Sequence, residues 1–111
     1  MKENQNTIWI FKPAASSCGR GIKLFANNEK LPKDKKGFLV SRYLDSPFLI
    51  NGYKFDMRIY VLVTSFDPLT IYMYQDGLVR FATEKYTTKT LKRRFIHLTN
   101  YSVNKRADNF V

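Results

Sequence analysis

Lys54, Asp56 and Arg58 stand two residues apart in the longest strand-like run of the chain, residues 53–66. Side chains alternate faces along a strand, and same-face neighbours sit roughly 6.5 to 7 Å apart. The spacing therefore predicts an amine, a carboxylate and a guanidinium in a row, with Tyr60 beyond them. Phe55, Met57, Ile59, Val61 and Val63 fall on the other face and are all apolar. The row is thus expected to stand above a buried sheet. Two chemistries fit it. One is a solvated salt-bridge ladder, which adds little stability. The other is a wall facing phosphate and ribose, with cations for oxyanions and an acid for a hydroxyl.

A second candidate is Ser16-Ser17-Cys18-Gly19-Arg20-Gly21. Its two glycines allow a tight backbone and close approach to an anion. Lys12, at the end of the preceding apolar run, could reach the same anion, and backbone N–H groups with a lysine make a phosphate cradle. A flexible hairpin tip is the alternative. No Gly-Lys-Ser/Thr follows, so this is not a Walker motif. Further along, Ser41-Arg42-Tyr43-Leu44 ends one strand-like run, Arg80 lies on another, and His97-Leu98-Thr99-Asn100 adds small polar groups. The single histidine, His97, reads as a satisfied structural residue, and with no second histidine a His-based metal site is out. No nucleophile elbow is present.

These groups need elements to hold them. Strand formers fill residues 7–11, 22–25, 38–44, 48–50, 53–66, 70–74 and 78–82. Asn51-Gly52, Asp67-Pro68 and Asp76-Gly77 read as turns, the last as a hairpin between two strands. Residues 27–37 are polar and read as a surface connection that could hold a helical turn. Residues 87–94 read as a loop or short helix. The fold class expected is α+β: mainly antiparallel sheet with few short helices.

Composition narrows the function classes. The chain has 111 residues, 44% apolar and 25% charged, which excludes a disordered tail or a collagen-like fibre. No apolar run approaches the roughly 18 to 20 residues that span a bilayer, and Met1 to Asn6 lacks the apolar stretch of a secretory signal. One cysteine, Cys18, cannot form an internal disulfide, so a reduced cytosolic setting is the default. The net charge of +10 attracts polyanions. A chain this short cannot hold a complete two-lobed enzyme.

Five motifs together are more specific than any of these features alone. Trp9-Ile10-Phe11-Lys12-Pro13, the run from Ser16 to Ile22, Lys54-Phe55-Asp56-Met57-Arg58, Asp76-Gly77-Leu78-Val79-Arg80-Phe81-Ala82-Thr83, and His97-Leu98-Thr99-Asn100-Tyr101-Ser102-Val103-Asn104-Lys105 follow one another in order over nearly the whole chain. In this order they resemble the tubulin–tyrosine ligase-like family. Phe48-Leu49-Ile50-Asn51-Gly52 and Thr64-Ser65-Phe66-Asp67-Pro68-Leu69 look most like its polyglutamylase branch.

The resemblance implies an ATP-grasp fold, in which two α+β lobes clamp ATP. It implies a ligase that uses ATP and Mg2+ to add L-glutamate to side-chain carboxylates of tubulin's acidic tails, through an acyl phosphate. It places the protein in the cytoplasm and on the cytoskeleton, at microtubules, cilium or basal body. It implies no membrane partner and disfavours nucleic acid. By position, Lys12 would contact phosphates, with Cys18 and Gly19 in the loop over them. Ser41, Arg42, Tyr43 and Leu44 would form the adenine hinge. Lys54, Phe55 and Asp56 would hold phosphate and ribose, and Thr99 and Asn100 would line the far side of the nucleotide. Arg80, Tyr101 and Ser102 would sit near the incoming amino acid, and Arg58 would face the reacting phosphoryl group. Lys54, Arg58 and Arg80 would be the catalytic cations.

Three departures accompany the resemblance. Ser41 stands where the hinge usually has Gln, and Cys18 where the glycine loop usually has a basic residue. The family's magnesium-binding acids would lie beyond Val111, so no metal ligand is expected here. Residues 1–111 are thus expected to be a partial domain, without the amino-terminal lobe or the metal-binding part, and inactive alone. Two other readings stay open. One is a basic non-catalytic module for acidic tails or nucleic acid. The other is a glycine or tyrosine ligase of the same family.

Overall fold

The computed structural model describes residues 7–27, 29 and 37–110. The readings made for Met1 to Asn6, and for most of residues 27–37, fall outside the described residues. Six strands and two short helices follow in order: β1 (Ile8–Pro13), β2 (Lys23–Ala26), β3 (Phe38–Arg42), β4 (Leu49–Ile50), β5 (Tyr53–Phe66), β6 (Leu69–Lys85), α1 (Arg94–His97) and α2 (Tyr101–Asn104). They form two three-stranded sheets, β2-β1-β3 and β4-β5-β6. Every pairing is antiparallel.

The first sheet carries the core. β1 lies at its centre, and alternation turns Ile8 and Ile10 inward, where they meet Leu24 of β2 and Tyr43 just past β3. Ile22, Tyr86 and Leu91 close over this cluster. The strand signal of residues 38–44 ends early, at Arg42. The backbone N–H of Tyr43 still donates to the carbonyl of Ile8 at 2.8 Å, which anchors its ring in the core.

The second sheet is a long hairpin. The Asn51-Gly52 turn between β4 and β5 forms as read, with φ of 51° and 82°. Two positive φ values are what a two-residue turn of the favoured handedness requires, and Asn and Gly accept them most readily. Asp67-Pro68 turns β5 into β6.

Asp76-Gly77 does not turn. The two strands expected at 70–74 and 78–82 are one strand, β6, which runs straight through the dipeptide. Opposite Tyr60, three residues of β6 (Tyr74, Gln75 and Asp76) stand against one of β5, because Ile59 pairs with Gly77 and Val61 with Met73. The extra residues bulge from the ladder. A Cβ on Gly77 would lie 2.6 Å from the carbonyl oxygen of Arg58. The glycine is there for close backbone approach, a second use of this residue that a turn reading overlooks.

The apolar face of β5 is also not buried as expected. Met57, Ile59 and Val61 are more than half exposed, as are Leu78 and Val79 of β6. Among the described residues nothing packs over this end of the hairpin. Of the strands, the helices contact only β5 and β6.

Candidate functional site

β5 presents Lys54, Asp56 and Arg58 from one face, as the alternation requires, and each has a different environment. Lys54 is half-buried. Its Nζ donates to the Tyr43 hydroxyl at 3.0 Å and to the His97 carbonyl at 3.0 Å, and lies 4.7 Å from the centre of the Tyr43 ring. Burial holds the Lys54 pKa below the ordinary lysine value; the Asp56 charge opposes this and the Lys12 charge adds to it. Lys12, exposed on β1, is therefore within electrostatic reach of Lys54.

Asp56 stands opposite Arg80 in the β5–β6 register. Arg80 Nε donates to Asp56 Oδ1 at 3.0 Å, and Arg80 Nη2 pairs with Oδ2. Partial burial pushes the Asp56 carboxyl up. Hydrogen bonds from Arg80 and Thr99, with the Arg80 and Arg58 charges, outweigh that and hold it below the usual carboxylate range. Arg58 itself is exposed.

A second register skip shapes this end of the site. Tyr53 pairs with Lys85 and Phe55 with Phe81, so Ala82, Thr83 and Glu84 oppose Lys54 alone. Such a bulge re-aims side chains and leaves backbone groups unpaired. Asn104 of α2, 1% exposed, satisfies the freed group. Its Oδ1 accepts from the Thr83 N–H and hydroxyl, both at 3.0 Å. Its Nδ2 donates to the carbonyls of Leu98 at 2.7 Å and Asn100 at 3.0 Å. One buried amide thus clamps the bulge to the Leu98–Asn100 turn that carries Thr99.

The glycine loop docks on the same turn. Gly19 and Gly21 have φ of 70° and 72°, and Cys18 has 61°. A Cβ on Gly19 would meet Val103 at 2.9 Å and the Asn100 side chain at 3.0 Å. Ser102 Oγ donates to the Cys18 carbonyl at 2.9 Å, and Arg94 Nη2 to the Gly19 carbonyl at 2.5 Å. Cys18 is exposed. Hydrogen bonds from Ser17 and Ser102, with the Arg20 and Lys105 charges, lower its thiol pKa, and desolvation opposes them.

The structure therefore joins Lys54, Asp56, Arg80 and Thr99 in one cluster, and links it through Asn100 to Cys18 and Gly19. Other predicted site residues lie apart from this cluster. Phe55 turns to the opposite face of β5, packed against Phe48 and Phe81. Ser41 and Arg42 pair with Ile10 and Trp9 inside the first sheet, and Leu44 is exposed. Tyr101 is exposed beside Lys105 and Phe110. His97 is buried with both ring nitrogens partnered, the structural role read for it. Sequence reasoning gave no role to Asn104 or Tyr86. Only tertiary contacts reveal either of them.

A sequence profile of the Tubulin-tyrosine ligase family matches residues 1–110. The chain belongs to the tubulin-tyrosine ligase family. Three relatives illustrate the match. "Tubulin polyglutamylase TTLL5" of Mus musculus is 52% identical over 105 residues, 93% of this chain and 8% of the relative. "Tubulin polyglutamylase TTLL7" of Homo sapiens is 49% identical over 112 residues, 98% of this chain and 12% of the relative. "Tubulin monoglutamylase TTLL4" of Mus musculus is 57% identical over 100 residues, 88% of this chain and 8% of the relative. The chain thus spans about a tenth of the length of these tubulin-tyrosine ligase family members. Its two antiparallel sheets and two short helices are consistent with a fragment of the fold of that family.

The donor set suits a nucleotide. Lys54 keeps one N–H free of the two described acceptors, and Lys12 and Arg58 add positive charge nearby. Among the described residues, no group of three His, Cys, Asp or Glu could hold a metal ion.

Proposed function

We propose that the protein containing this chain is an ATP-dependent ligase that adds glutamate to side-chain carboxylates in the acidic tails of tubulin. The observation that carries the reading is the Lys54–Asp56–Arg80–Thr99 cluster in a chain about half identical to tubulin glutamylases. ATP, when bound, supplies the phosphoryl group that turns an inert carboxylate into an acyl phosphate, from which phosphate leaves when the amine of the incoming amino acid attacks.

The chain's own residues have separate tasks in this reading. Lys54 offers its free N–H to a phosphate oxygen, and Lys12 adds its charge to the same side. Arg58 faces the charge that develops on the transferring group. Preorganised cations of this kind are effective because they need no rearrangement as charge builds up. Arg80 is held flat against Asp56, and Arg can grip a carboxylate through two parallel bonds. The carboxylate of an incoming amino acid would take up the side of the guanidinium that Asp56 leaves open. Thr99 and Asn100 are set by Asn104 beside this pair.

A strongly basic cleft supports the acidic tail as acceptor. Arg20, Lys92, Arg93, Arg94, Lys105 and Arg106 line it, with Glu84 and Asp108 as its acids. Arg93 is paired with Glu84 at 2.8 Å. Arg20, Lys92 and Arg106 make no ion pair with described residues. A cleft with a large excess of one sign of charge concentrates the opposite sign. The cytoskeletal setting follows from the same reading.

The test is incorporation of radiolabelled glutamate, glycine and tyrosine into tubulin by the full-length protein. Glutamate incorporation that needs ATP, and that is lost in both Lys54→Ala and Arg80→Ala, is expected. Incorporation of glycine or tyrosine instead, or glutamate incorporation unchanged by both substitutions, would refute it.

A further inference from the structure

His97 is buried, titratable and unused by the reaction just described. Yet it lies in line with the lysine assigned to the nucleotide. Its Nε2 is 2.9 Å from the carbonyl oxygen of Thr90, and its Nδ1 is 3.2 Å from the Tyr43 hydroxyl. The Tyr43 hydroxyl is also 3.0 Å from Lys54 Nζ.

The protons in this chain can be assigned. A carbonyl only accepts, so His97 Nε2 carries the hydrogen. In a neutral imidazole the other nitrogen is then an acceptor. A lysine ammonium only donates, so the Tyr43 oxygen accepts from Lys54 and must send its own proton elsewhere. Two acceptors are in reach, His97 Nδ1 and the Tyr86 hydroxyl oxygen, whose own proton goes to the Asp45 carbonyl. The Thr90 carbonyl fixes the tautomer, and the Nδ1 lone pair it leaves accepts from Tyr43, giving the direction Lys54 to Tyr43 to His97 to Thr90. The packing holds it there. The rings of Tyr43 and Tyr86 meet the imidazole edge-on, with centres 5.7 and 5.6 Å away, and the Tyr86 hydroxyl is tied to the Asp45 carbonyl at 2.9 Å. The His97 carbonyl takes a second N–H of Lys54 at 3.0 Å. An ammonium has three N–H groups, so one remains, and its direction is set by the other two.

We propose that His97 and Tyr43 are positioning residues for nucleotide binding: the imidazole, as its Nε2–H tautomer, turns the Tyr43 hydroxyl so that two N–H groups of Lys54 are held and the third points at a phosphate oxygen. This rests on the assignment of Lys54 to the nucleotide. The groups facing the imidazole are Tyr43 past the end of β3, Lys54 on β5, Tyr86 past the end of β6, and the Thr90 carbonyl. None carries a negative charge that would favour imidazolium. Protonation at Nδ1 would remove that acceptor and turn the Tyr43 proton toward the Tyr86 oxygen.

Three variants of the full-length protein separate this from a packing role. His97→Asn places an amide where Nδ1 sits and keeps an acceptor for Tyr43. His97→Gln places one where Nε2 sits and removes that acceptor. Tyr43→Phe keeps the ring and deletes the hydroxyl. ATP affinity should fall about tenfold, the effect of one lost hydrogen bond to a charged group, in His97→Gln and Tyr43→Phe. His97→Asn should recover most of it. KM for ATP should rise more than kcat falls. A second readout needs no ATP: the pH dependence of Lys54 acylation, followed by peptide mass spectrometry. Losing the hydroxyl that accepts from the ammonium should lower the apparent Lys54 pKa further in Tyr43→Phe, whereas a merely loosened pocket would rehydrate Lys54 and raise it. Equal ATP affinity in the Asn and Gln variants, or a raised Lys54 pKa in Tyr43→Phe, overturns the proposal. Failure of the wild-type protein to bind ATP would overturn the nucleotide assignment instead, while the acylation profiles still decide the hydrogen-bond chain.

Discussion

Asp56 and Arg80 are direct cross-strand partners, and their carboxylate and guanidinium meet through both oxygens. The pair ties the two strands of the site together and leaves the guanidinium in a fixed plane. Both side chains are about one-third exposed, so the pair's value lies in orientation more than in stability.

Arg80→Lys should therefore fail to replace Arg80. A lysine is a point charge and cannot span two carboxylate oxygens. In the full-length protein, glutamate incorporation should drop by about 10² to 10³ in Arg80→Ala, the usual loss for one preorganised donor. Arg80→Lys should recover little of it, and steady-state kinetics would show this directly.

Asn104→Ala should cost about 1–3 kcal/mol, the effect of leaving buried polar groups unpaired. The Thr83 N–H, freed from the ladder by the bulge, and the Leu98 carbonyl lose their partner. Urea unfolding measures the cost. Loss of ATP affinity should accompany it, because Thr99 lies within the clamped turn.

Gly77→Ala and Asp76→Ala should behave differently. If the dipeptide were a hairpin turn, both would disturb it. In the bulge, only Gly77 meets a neighbouring backbone, the carbonyl of Arg58. Gly77→Ala should destabilise by about 1–3 kcal/mol, as other forced overpacking does. Asp76→Ala should lie within about 0.5 kcal/mol of wild type, as exposed surface changes do. Thermal unfolding separates the two.

Acidification should weaken the fold through His97. Burial lowers its pKa below the ordinary value near 6.5; the hydrogen bond with Thr90 opposes this and the Lys54 charge adds to it. The unfolded chain then binds a proton that the folded chain resists. Stability should be fully present above about pH 6.5 and fall as pH drops through the folded pKa. In His97→Asn this part of the pH dependence should vanish, as followed by urea unfolding at several pH values.

The basic cleft gives a kinetic test. Lys92→Glu with Arg106→Glu should slow association with a glutamate-rich peptide by about tenfold or more at low salt, with the difference shrinking as salt is added. Stopped-flow binding checks both. An equal effect on single-stranded nucleic acid would favour the basic-module reading.

Local chemistry was legible in the chain itself. The alternation of β5 put Lys54, Asp56 and Arg58 on one face, since two-residue periodicity follows from backbone geometry alone. Asn51-Gly52 specified its turn, because few other residues accept two positive φ values. The family was also readable, since five motifs in one order constrain each other. Asp76-Gly77 misled because glycine serves both turns and close backbone approach, and only the pairing register of β5 with β6 says which. Burial was misjudged for the same kind of reason: an apolar face records a need for cover, not where the cover comes from. Tertiary structure alone decided that Asp56 would meet Arg80, that Asn104 would clamp a bulge 21 residues earlier in the chain, and that His97 would reach Lys54 through Tyr43. These contacts join residues far apart in the chain, and sequence spacing carries no information about which distant groups a fold brings within hydrogen-bond distance.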